Sequence, residues 1–202
     1  GYLLKEFFFN YKFYTNDFSI NLKTEKIVKL DTKSEDWNIE LVDTGKDTLT
    51  AGRLKRVSKY LGKNEDFFLT YGDGLTNADL LEEIRFHKKT KKKATILAVN
   101  NPGRFGNLKI SKDKVINFQE KPVESKGDYI NGGFMIINSS ILKLIKGDQS
   151  SLEGDLLPKI AKSHQLAAFK HKGFWQPMDT LRDKIKLDDL WNNNKAPWKI
   201  WK

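Results

Sequence analysis

The segment Phe67-Phe68-Leu69-Thr70-Tyr71-Gly72-Asp73-Gly74 decides the fold. Its apolar run is continuous and stops at two glycines, which is typical of a buried parallel strand that ends in a loop. Residues 77–93 follow with an amphipathic pattern and acids in the first turns, which predicts a helix. Ala94 to Val99 is again apolar and predicts a second buried strand. Strand, helix and strand at this spacing predict a βαβ unit with a right-handed crossover.

Strands and helices continue to alternate on both sides of this unit. Predicted strands are Trp37 to Val42, Val115 to Phe118, Tyr129 to Ile137 and Gln165 to Phe174. Predicted helices are Gly1 to Tyr11, Thr50 to Leu61, Ser139 to Ile145, Ser150 to about His164, and Thr180 to about Asn194. The sequence therefore predicts an α/β fold with a mixed, mostly parallel sheet flanked by helices.

Composition excludes several classes of site. The 202 residues contain no cysteine, so disulfides, thiolate metal sites and a cysteine nucleophile are excluded. The chain has only three histidines, and so few argue against a zinc site built on histidine ligands. No Walker A run, serine nucleophile elbow or H-E-x-x-H motif is present. No apolar run reaches the roughly 18 residues of a membrane span, so we expect a soluble chain with no membrane partner.

The net charge of +10 raises the question of nucleic acid binding. Much of the excess lies in one run without acids: Arg85, Lys88, Lys89, Lys91, Lys92 and Lys93. Cations at the end of a helix complement its dipole, which favours a solvated helix end over a patch for phosphate or a partner. Because aromatic residues are not interleaved with these lysines, we expect no nucleic acid partner.

Two acids follow predicted strands, where ligands bind in open α/β sheets. Asp73 lies between two glycines, and Asp179 precedes Thr180, the predicted N-cap of the last helix. Mg²⁺ prefers such carboxylates together with substrate phosphates. Alternatively, Asp73 initiates a turn and Asp179 interacts only with the helix dipole.

Three further segments are candidate binding elements. In Glu120-Lys121-Pro122 the lysine can hold a phosphate and the glutamate can accept from sugar hydroxyls, unless the segment is an exposed charged turn. The glycines of Asn131-Gly132-Gly133 indicate close approach of a ligand or of another backbone. Arg53 follows Gly52 in the first turn of a helix, where backbone amides suit an anion.

A family resemblance runs along essentially the whole chain. The segments that carry it are Leu41-Val42-Asp43-Thr44-Gly45, Gly52-Arg53-Leu54-Lys55-Arg56, Phe68-Leu69-Thr70-Tyr71-Gly72-Asp73-Gly74, Pro102-Gly103-Arg104-Phe105-Gly106, Phe118-Gln119-Glu120-Lys121-Pro122, Ile130-Asn131-Gly132-Gly133-Phe134, Gly173-Phe174-Trp175-Gln176-Pro177-Met178-Asp179-Thr180-Leu181-Arg182-Asp183 and Lys195-Ala196-Pro197-Trp198-Lys199. In these segments the chain resembles the sugar-nucleotide pyrophosphorylases, a family with a Rossmann-like fold. It is most similar to their cytidylyl branch.

The resemblance implies a Mg²⁺ cofactor held by Asp73 and Asp179. It implies nucleotide contacts at Thr48, Arg53 and Gly72. Those two aspartates then act in catalysis together with Lys121, and the remaining expected substrate contacts are Glu120, Lys121, Asn131 and Gly132.

The reaction implied is attack by glucose 1-phosphate on the α-phosphorus of CTP, which releases pyrophosphate and gives CDP-glucose. The same resemblance implies a cytoplasmic homo-oligomer whose product serves O-antigen and lipopolysaccharide biosynthesis. Alternatives are transfer from dTTP or UTP, guanylyl transfer to mannose 1-phosphate, and a non-catalytic module that binds a sugar phosphate.

Residues 1–202 are expected to form a single nucleotidyltransferase domain that lacks the family's first strand, loop, helix and strand. That segment carries a Gly-rich loop of the type G-G-x-G-T-R-L and a lysine for the triphosphate. The resemblance therefore implies that these 202 residues alone bind CTP poorly and turn over little. It also implies strand edges and apolar surface left exposed, which favour association.

Overall fold

The computed structural model describes residues 1–29, 35–100, 107–111, 113–119 and 129–201. They form two compact units, Gly1–Gly45 and Lys46–Lys202. The first unit contains helices α1 (Tyr2–Phe9) and α2 (Tyr11–Thr15), then an antiparallel hairpin of strands β1 (Phe18–Asn21) and β2 (Lys26–Lys29). The prediction of a helix at the start of the chain is confirmed.

The predicted strand from Trp37 to Val42 is wrong. Its backbone is irregular, and no strand pairs with it among the described residues. Trp37 is 61% exposed and Ile39 is 41% exposed. An alternating apolar pattern forms a strand only where a neighbouring strand shares hydrogen bonds with it and where other residues cover one of its faces. Neither condition is met here among the described residues.

The second unit is a mixed sheet flanked by helices. Its helices are α3 (Thr50–Val57), α4 (Leu80–Thr90), α5 (Leu157–Lys162) and α6 (Leu181–Asn192), with 3₁₀ turns at Ser58–Tyr60 and Ser139–Leu144 and a π-helical turn at Leu152–Leu156. Its strands are β3 (Asp66–Thr70), β4 (Gly74–Thr76), β5 (Ala94–Asn100), β6 (Asn107–Ser111), β7 (Lys114–Gln119), β8 (Tyr129–Asn138), β9 (Leu166–His171) and β10 (Trp175–Pro177). Six of the strands form one sheet in the order β3-β8-β5-β9-β7-β6. The mixed α/β class is therefore confirmed.

The expectation of mostly parallel pairing is wrong for the described strands. Of the neighbouring pairs, β5 and β9 are parallel and the others are antiparallel. The reason is β8, which lies between β3 and β5 and runs antiparallel to both. Consequently β3 and β5 point in the same direction, as the βαβ pattern predicts, but they are not adjacent.

The core of the second unit lies around β5. Residues 94–99 of this strand are buried, and Ile96 and Leu97 are completely inaccessible. In contrast, β3 alternates between half-buried and exposed residues, and Phe68 is 48% exposed. Sequence alone overestimated its burial, because β3 is an edge strand that pairs with β8 on one side among the described strands.

Candidate functional site

Both candidate acids lie at the end of a small two-stranded ribbon. In this ribbon β4 pairs antiparallel with β10, and Gly74 lies opposite Pro177. One residue beyond that pair, the amide of Met178 donates a 2.8 Å hydrogen bond to the carbonyl of Asp73. Asp179 is the next residue, so the ribbon places Asp73 and Asp179 at the same end although they are far apart in the sequence. Neither short strand was predicted from the sequence.

The donor set of this end fits a hard cation. Asp73 and Asp179 are both exposed, so their carboxylates are open to a ligand. Across the described part of the chain, no group of three or more histidine, aspartate or glutamate side chains is placed to hold a metal ion. In a typical Mg²⁺ site the protein contributes one or two carboxylate ligands and no nitrogen or sulfur donors, and substrate phosphates and water supply the other oxygens.

A capping box fixes the backbone that follows Asp179. The hydroxyl of Thr180 accepts from the amide of Asp183, and the carboxylate of Asp183 accepts from the amide of Thr180 at 3.1 Å. Gln176 Nε2 also donates to the buried Asp183, at 3.2 Å. The predicted cap Thr180 is therefore confirmed. Asp183 was missed, although the three-residue spacing of a capping box could have indicated it.

The glycines in β8 allow two aromatic side chains to approach. The indole Nε1 of Trp175 donates a 2.7 Å hydrogen bond to the carbonyl of Gly132. A Cβ atom on Gly132 would lie 3.0 Å from Val99 Cγ1 and 3.3 Å from that indole nitrogen. Gly133 has a φ of +79°, and a Cβ atom there would lie 2.9 Å from Tyr71 Cδ2. The predicted close approach of another backbone is confirmed at Gly132, where a Cβ atom would also lie 3.1 Å from the carbonyl oxygen of Leu97, whereas the neighbour of Gly133 is a side chain.

Asn131 stabilises this irregular stretch of β8. Its side-chain Oδ1 accepts from the amide of Gly133 at 3.0 Å. The pairing of β5 with β8 shifts register between Ile96 and Ala98, next to the glycines. At Gly132 this irregular stretch contacts β10 through the indole of Trp175.

Two of the three candidate nucleotide contacts, Thr48 and Arg53, lie at the start of α3, whereas Gly72 lies in the loop after β3. Thr48 is buried, and Arg53 Nη2 donates to the carbonyl of Lys46 at 3.0 Å. A Cβ atom on Gly52 would lie 2.5 Å from the carbonyl oxygen of Asp148, so glycine is required there by the neighbouring backbone.

The expectation that the amides of this turn are available to an anion is wrong for two of them, Gly52 and Arg53, of which Arg53 donates to the carbonyl of Leu49 at 2.9 Å within the helix. The amide of Gly52 donates to the carbonyl of Ser150 at 3.0 Å. Ahead of the helix, the amide of Leu49 donates to the carbonyl of Asp148 at 2.8 Å. These bonds attach α3 to the segment 148–153, and a long-range contact of this kind leaves no local signal in the sequence.

The segment 148–153 also reaches the loop of Asp73. The amide of Leu152 donates to Thr50 Oγ1 at 2.8 Å, and the hydroxyl of Tyr71 donates to Glu153 Oε1. Burial raises the pKa of Tyr71, and the charges of Glu153 and Asp73 raise it further. Tyr71 therefore keeps its proton and remains a donor. Sequence reasoning did not identify Glu153 as a site residue.

Two predicted site residues, Glu120 and Lys121, lie outside the described residues. The lysine run at the end of α4 lies elsewhere in the second unit. There a cavity of about 300 Å³ is lined by Asp66, His87, Lys88, Lys91, Lys92, Lys93 and Asn138. The acidic start of α4 is capped by the side chain of Asp79, which accepts from two backbone amides.

Comparison with known proteins identifies the family of the chain. A model of the nucleotidyl transferase family matches residues 15–194. The chain belongs to the nucleotidyl transferase family. This match and the curated relatives of the chain together confirm its resemblance to the sugar nucleotidyltransferases. No helix among the described residues is both long and apolar enough to cross a membrane.

Relatives of this nucleotidyl transferase include two bacterial proteins. It is 46% identical over 201 residues to glucose-1-phosphate cytidylyltransferase of Salmonella typhi, covering 100% of this chain and 78% of the relative. It is 33% identical over 202 residues to a probable glucose-1-phosphate cytidylyltransferase of Bacillus subtilis, with the same two coverages.

The fold is shared with solved structures. The crystal structure of HddC from Yersinia pseudotuberculosis superposes with a TM-score of 0.62 at 24% identity, covering 72% of this chain. The chain spans 64% of the length of that protein. At this identity the similarity concerns the fold.

Proposed function

We propose that the protein transfers a cytidylyl group from CTP to α-D-glucose 1-phosphate, giving CDP-glucose and pyrophosphate. The observation that carries this proposal is the backbone bond between Met178 and Asp73, which brings two exposed carboxylates to one end of the β4–β10 ribbon. The choice of nucleotide and sugar is supported by the names of the Salmonella and Bacillus relatives.

Asp73 and Asp179 would hold a Mg²⁺ ion. When bound, such an ion neutralises charge on the transferred phosphoryl group and on the pyrophosphate that leaves. The contribution of the chain itself is to orient the two carboxylates. Gly74 and Met178 fix their backbone through the ribbon, and the capping box of Thr180 fixes the chain beyond them.

The sugar phosphate would lie between β8 and the ribbon. Asn131 and Gly132 are the proposed contacts from β8, and the indole of Trp175 holds that strand against β10. Glu120 and Lys121 would complete the site, with the lysine as a charge on the 1-phosphate.

In the proposed step, a phosphate oxygen of glucose 1-phosphate forms a bond to the α-phosphorus of CTP. The bond from that phosphorus to the oxygen bridging toward the β-phosphate breaks, and pyrophosphate leaves with the electron pair. Thr48, Arg53 and Gly72 would position the nucleotide for this displacement. Catalysis would then consist of positioning and electrostatic stabilisation rather than covalent chemistry by the protein.

The test measures pyrophosphate release by the intact protein that carries this sequence, with glucose 1-phosphate and each of CTP, dTTP, UTP and GTP. We expect release with CTP, dependence on Mg²⁺, and a loss of at least about 100-fold in Asp73→Asn and Asp179→Asn, as for other groups that stabilise transition-state charge. Asp189→Asn, which neutralises an exposed acid on α6, is the matched control.

Release with another nucleotide in preference to CTP would contradict the proposed specificity. Tight binding of glucose 1-phosphate without turnover of any nucleotide would instead favour a sugar-phosphate-binding module. The proposal includes a cytoplasmic homo-oligomer built from a single nucleotidyltransferase domain, and light scattering on the intact protein measures the assembly state.

A further inference from the structure

The loop Gly72-Asp73 has few packing neighbours of its own. A Cβ atom on Gly72 would have no other heavy atom within 4 Å among the described residues, and Asp73 is exposed. On the far side, the loop is held by the β4–β10 ribbon and by the amide of Met178. On the near side, its conformation depends on Tyr71, the last residue before it.

Three contacts hold Tyr71 in place. Its amide donates to the carbonyl of Gly133 at 3.1 Å, its ring packs against Gly133, and its hydroxyl donates to the carboxylate of Glu153. The ring also packs against the apolar core of the second unit. The side chain of Tyr71 is therefore fixed at both ends, by β8 at the backbone and by Glu153 at the hydroxyl.

Glu153 is anchored in turn to the start of α3. Its neighbour Leu152 donates to Thr50 Oγ1, and Ser150 accepts from the amide of Gly52. Ser151 caps the π-helical turn that carries Glu153, by accepting from the amide of Gly154 at 2.9 Å. A short chain of contacts thus runs from the candidate nucleotide-binding turn, through Glu153 and Tyr71, to Asp73.

From this arrangement we infer that Tyr71 and Glu153 act as a positioning pair. The pair holds the Asp73 carboxylate at a fixed position relative to the candidate nucleotide-binding turn of α3. The inference rests on the proposed function, because it assigns the pair a role in binding a divalent cation together with a nucleotide. Neither Tyr71 nor Glu153 contacts the reacting atoms in this proposal. Both act through Asp73, whose geometry they determine.

The test measures Mn²⁺ binding by electron paramagnetic resonance in the intact protein, with and without CTP, so that the main readout is independent of turnover. Removal of groups that orient a metal ligand weakens metal binding by about 10- to 100-fold. We expect a loss of this size in Tyr71→Phe and in Glu153→Ala. Glu153→Gln keeps an oxygen that accepts from the tyrosine hydroxyl, and we expect it to remain within about threefold of the unmodified protein, far below the loss on removing the group.

A double variant separates positioning from folding. Tyr71→Phe leaves the carboxylate of Glu153 without this donor, which is destabilising, whereas Tyr71→Phe with Glu153→Leu replaces the pair by apolar groups. We expect the double variant to recover thermal stability and to remain weak in Mn²⁺ binding. Tyr60→Phe and Glu82→Gln, which alter an exposed hydroxyl and an exposed carboxylate elsewhere, are the controls.

Unchanged Mn²⁺ affinity in Glu153→Ala, while Asp73→Asn abolishes binding, would overturn the inference and leave the proposed function intact. Mn²⁺ binding that does not depend on Asp73 would overturn both. A double variant that recovers stability and Mn²⁺ affinity together would show a purely structural role and would also overturn the inference.

Discussion

The amide of Met178 donates a hydrogen bond of 2.8 Å to the carbonyl of Asp73, and this bond aligns the two candidate metal-binding acids. The side chain of Met178 is 44% exposed, so its contribution lies in the backbone. Because Asp179 follows directly, any change in this bond moves one carboxylate relative to the other.

Met178→Pro tests that relationship. Proline removes the donor amide, and we expect at least a tenfold loss of Mg²⁺-dependent activity with a stability loss of about 1 kcal/mol, the usual net value of one hydrogen bond. Steady-state kinetics against Mg²⁺ concentration and thermal unfolding provide the two measurements. Met178→Ala keeps the amide and should behave like the unmodified protein. Equal losses in both variants would refute the argument.

Glycine substitutions should separate packing from ligand contact. Gly132→Ala places a methyl 3.0 Å from Val99 Cγ1, so we expect a loss of about 1 to 3 kcal/mol in unfolding free energy. Gly72→Ala enters open space and should change stability by less than about 0.5 kcal/mol. If Gly72 contacts the nucleotide, the same variant raises the KM for CTP. Denaturant unfolding and kinetics distinguish the two outcomes, and a stable Gly132→Ala protein would contradict the first.

Glu83 on α4 makes stability depend on pH. Its side chain is fully buried, neither carboxylate oxygen has a hydrogen-bond partner among the described residues, and burial raises its pKa from 4.5 to about 8. Below pH 4.5 the carboxyl is protonated in both folded and unfolded states. As the pH rises toward 8, the unfolded state loses the proton first, so the folded state becomes relatively less stable.

Glu83→Leu removes this ionisation. We expect it to stabilise the protein at pH 8 by an amount on the order of 4 kcal/mol more than at pH 4, because each pKa unit corresponds to about 1.4 kcal/mol. Chemical unfolding at the two pH values measures the difference. The neighbouring exposed Glu82→Gln is the control. A stability gain that is independent of pH would show that Glu83 is not the group responsible.

Asp183 should couple stability to activity. Asp183→Ala removes the acceptor for Thr180 and Gln176, and we expect a loss of about 2 kcal/mol together with reduced activity, since Asp179 lies between those two residues. Thermal unfolding and pyrophosphate release are the measurements. Asp188→Ala breaks an exposed ion pair with Lys184 on the same helix and should cost less than about 1 kcal/mol. Similar effects of the two variants would contradict a special role for Asp183.

Local signals in the sequence were sufficient for most elements of the second unit. The apolar run that ends at Gly72, the glycine pair in β8 and the cap at Thr180 each act over a few residues. The structure bears out a strand, a close approach and a cap at these places, although the strand is less buried than predicted. The strand at Trp37 and the parallel pairing failed for a common reason. Strand formation and direction depend on which distant segment lies alongside, and periodicity does not encode that.

The candidate site was predicted only in part for the same physical reason. Strand-end position singled out Asp73 and Asp179, but spacing could not show that a ribbon joins them. Tyr71 and Glu153 are 82 residues apart, and the hydrogen bond between them leaves no periodic trace. The roles assigned to the candidate residues remain predictions for the experiments above.

Separation along the chain has a consequence for biosynthesis. Since proteins are made from the N-terminus, β3 leaves the ribosome well before β8, the strand that pairs with it. The hydrogen bond from the amide of Met178 to the carbonyl of Asp73 forms later still, because the two residues are roughly 100 positions apart and such distant contacts form late. A nascent chain therefore cannot present both acids to a cation. The proposed cation binding at this ribbon would become available only after nearly all of the second unit has been synthesised.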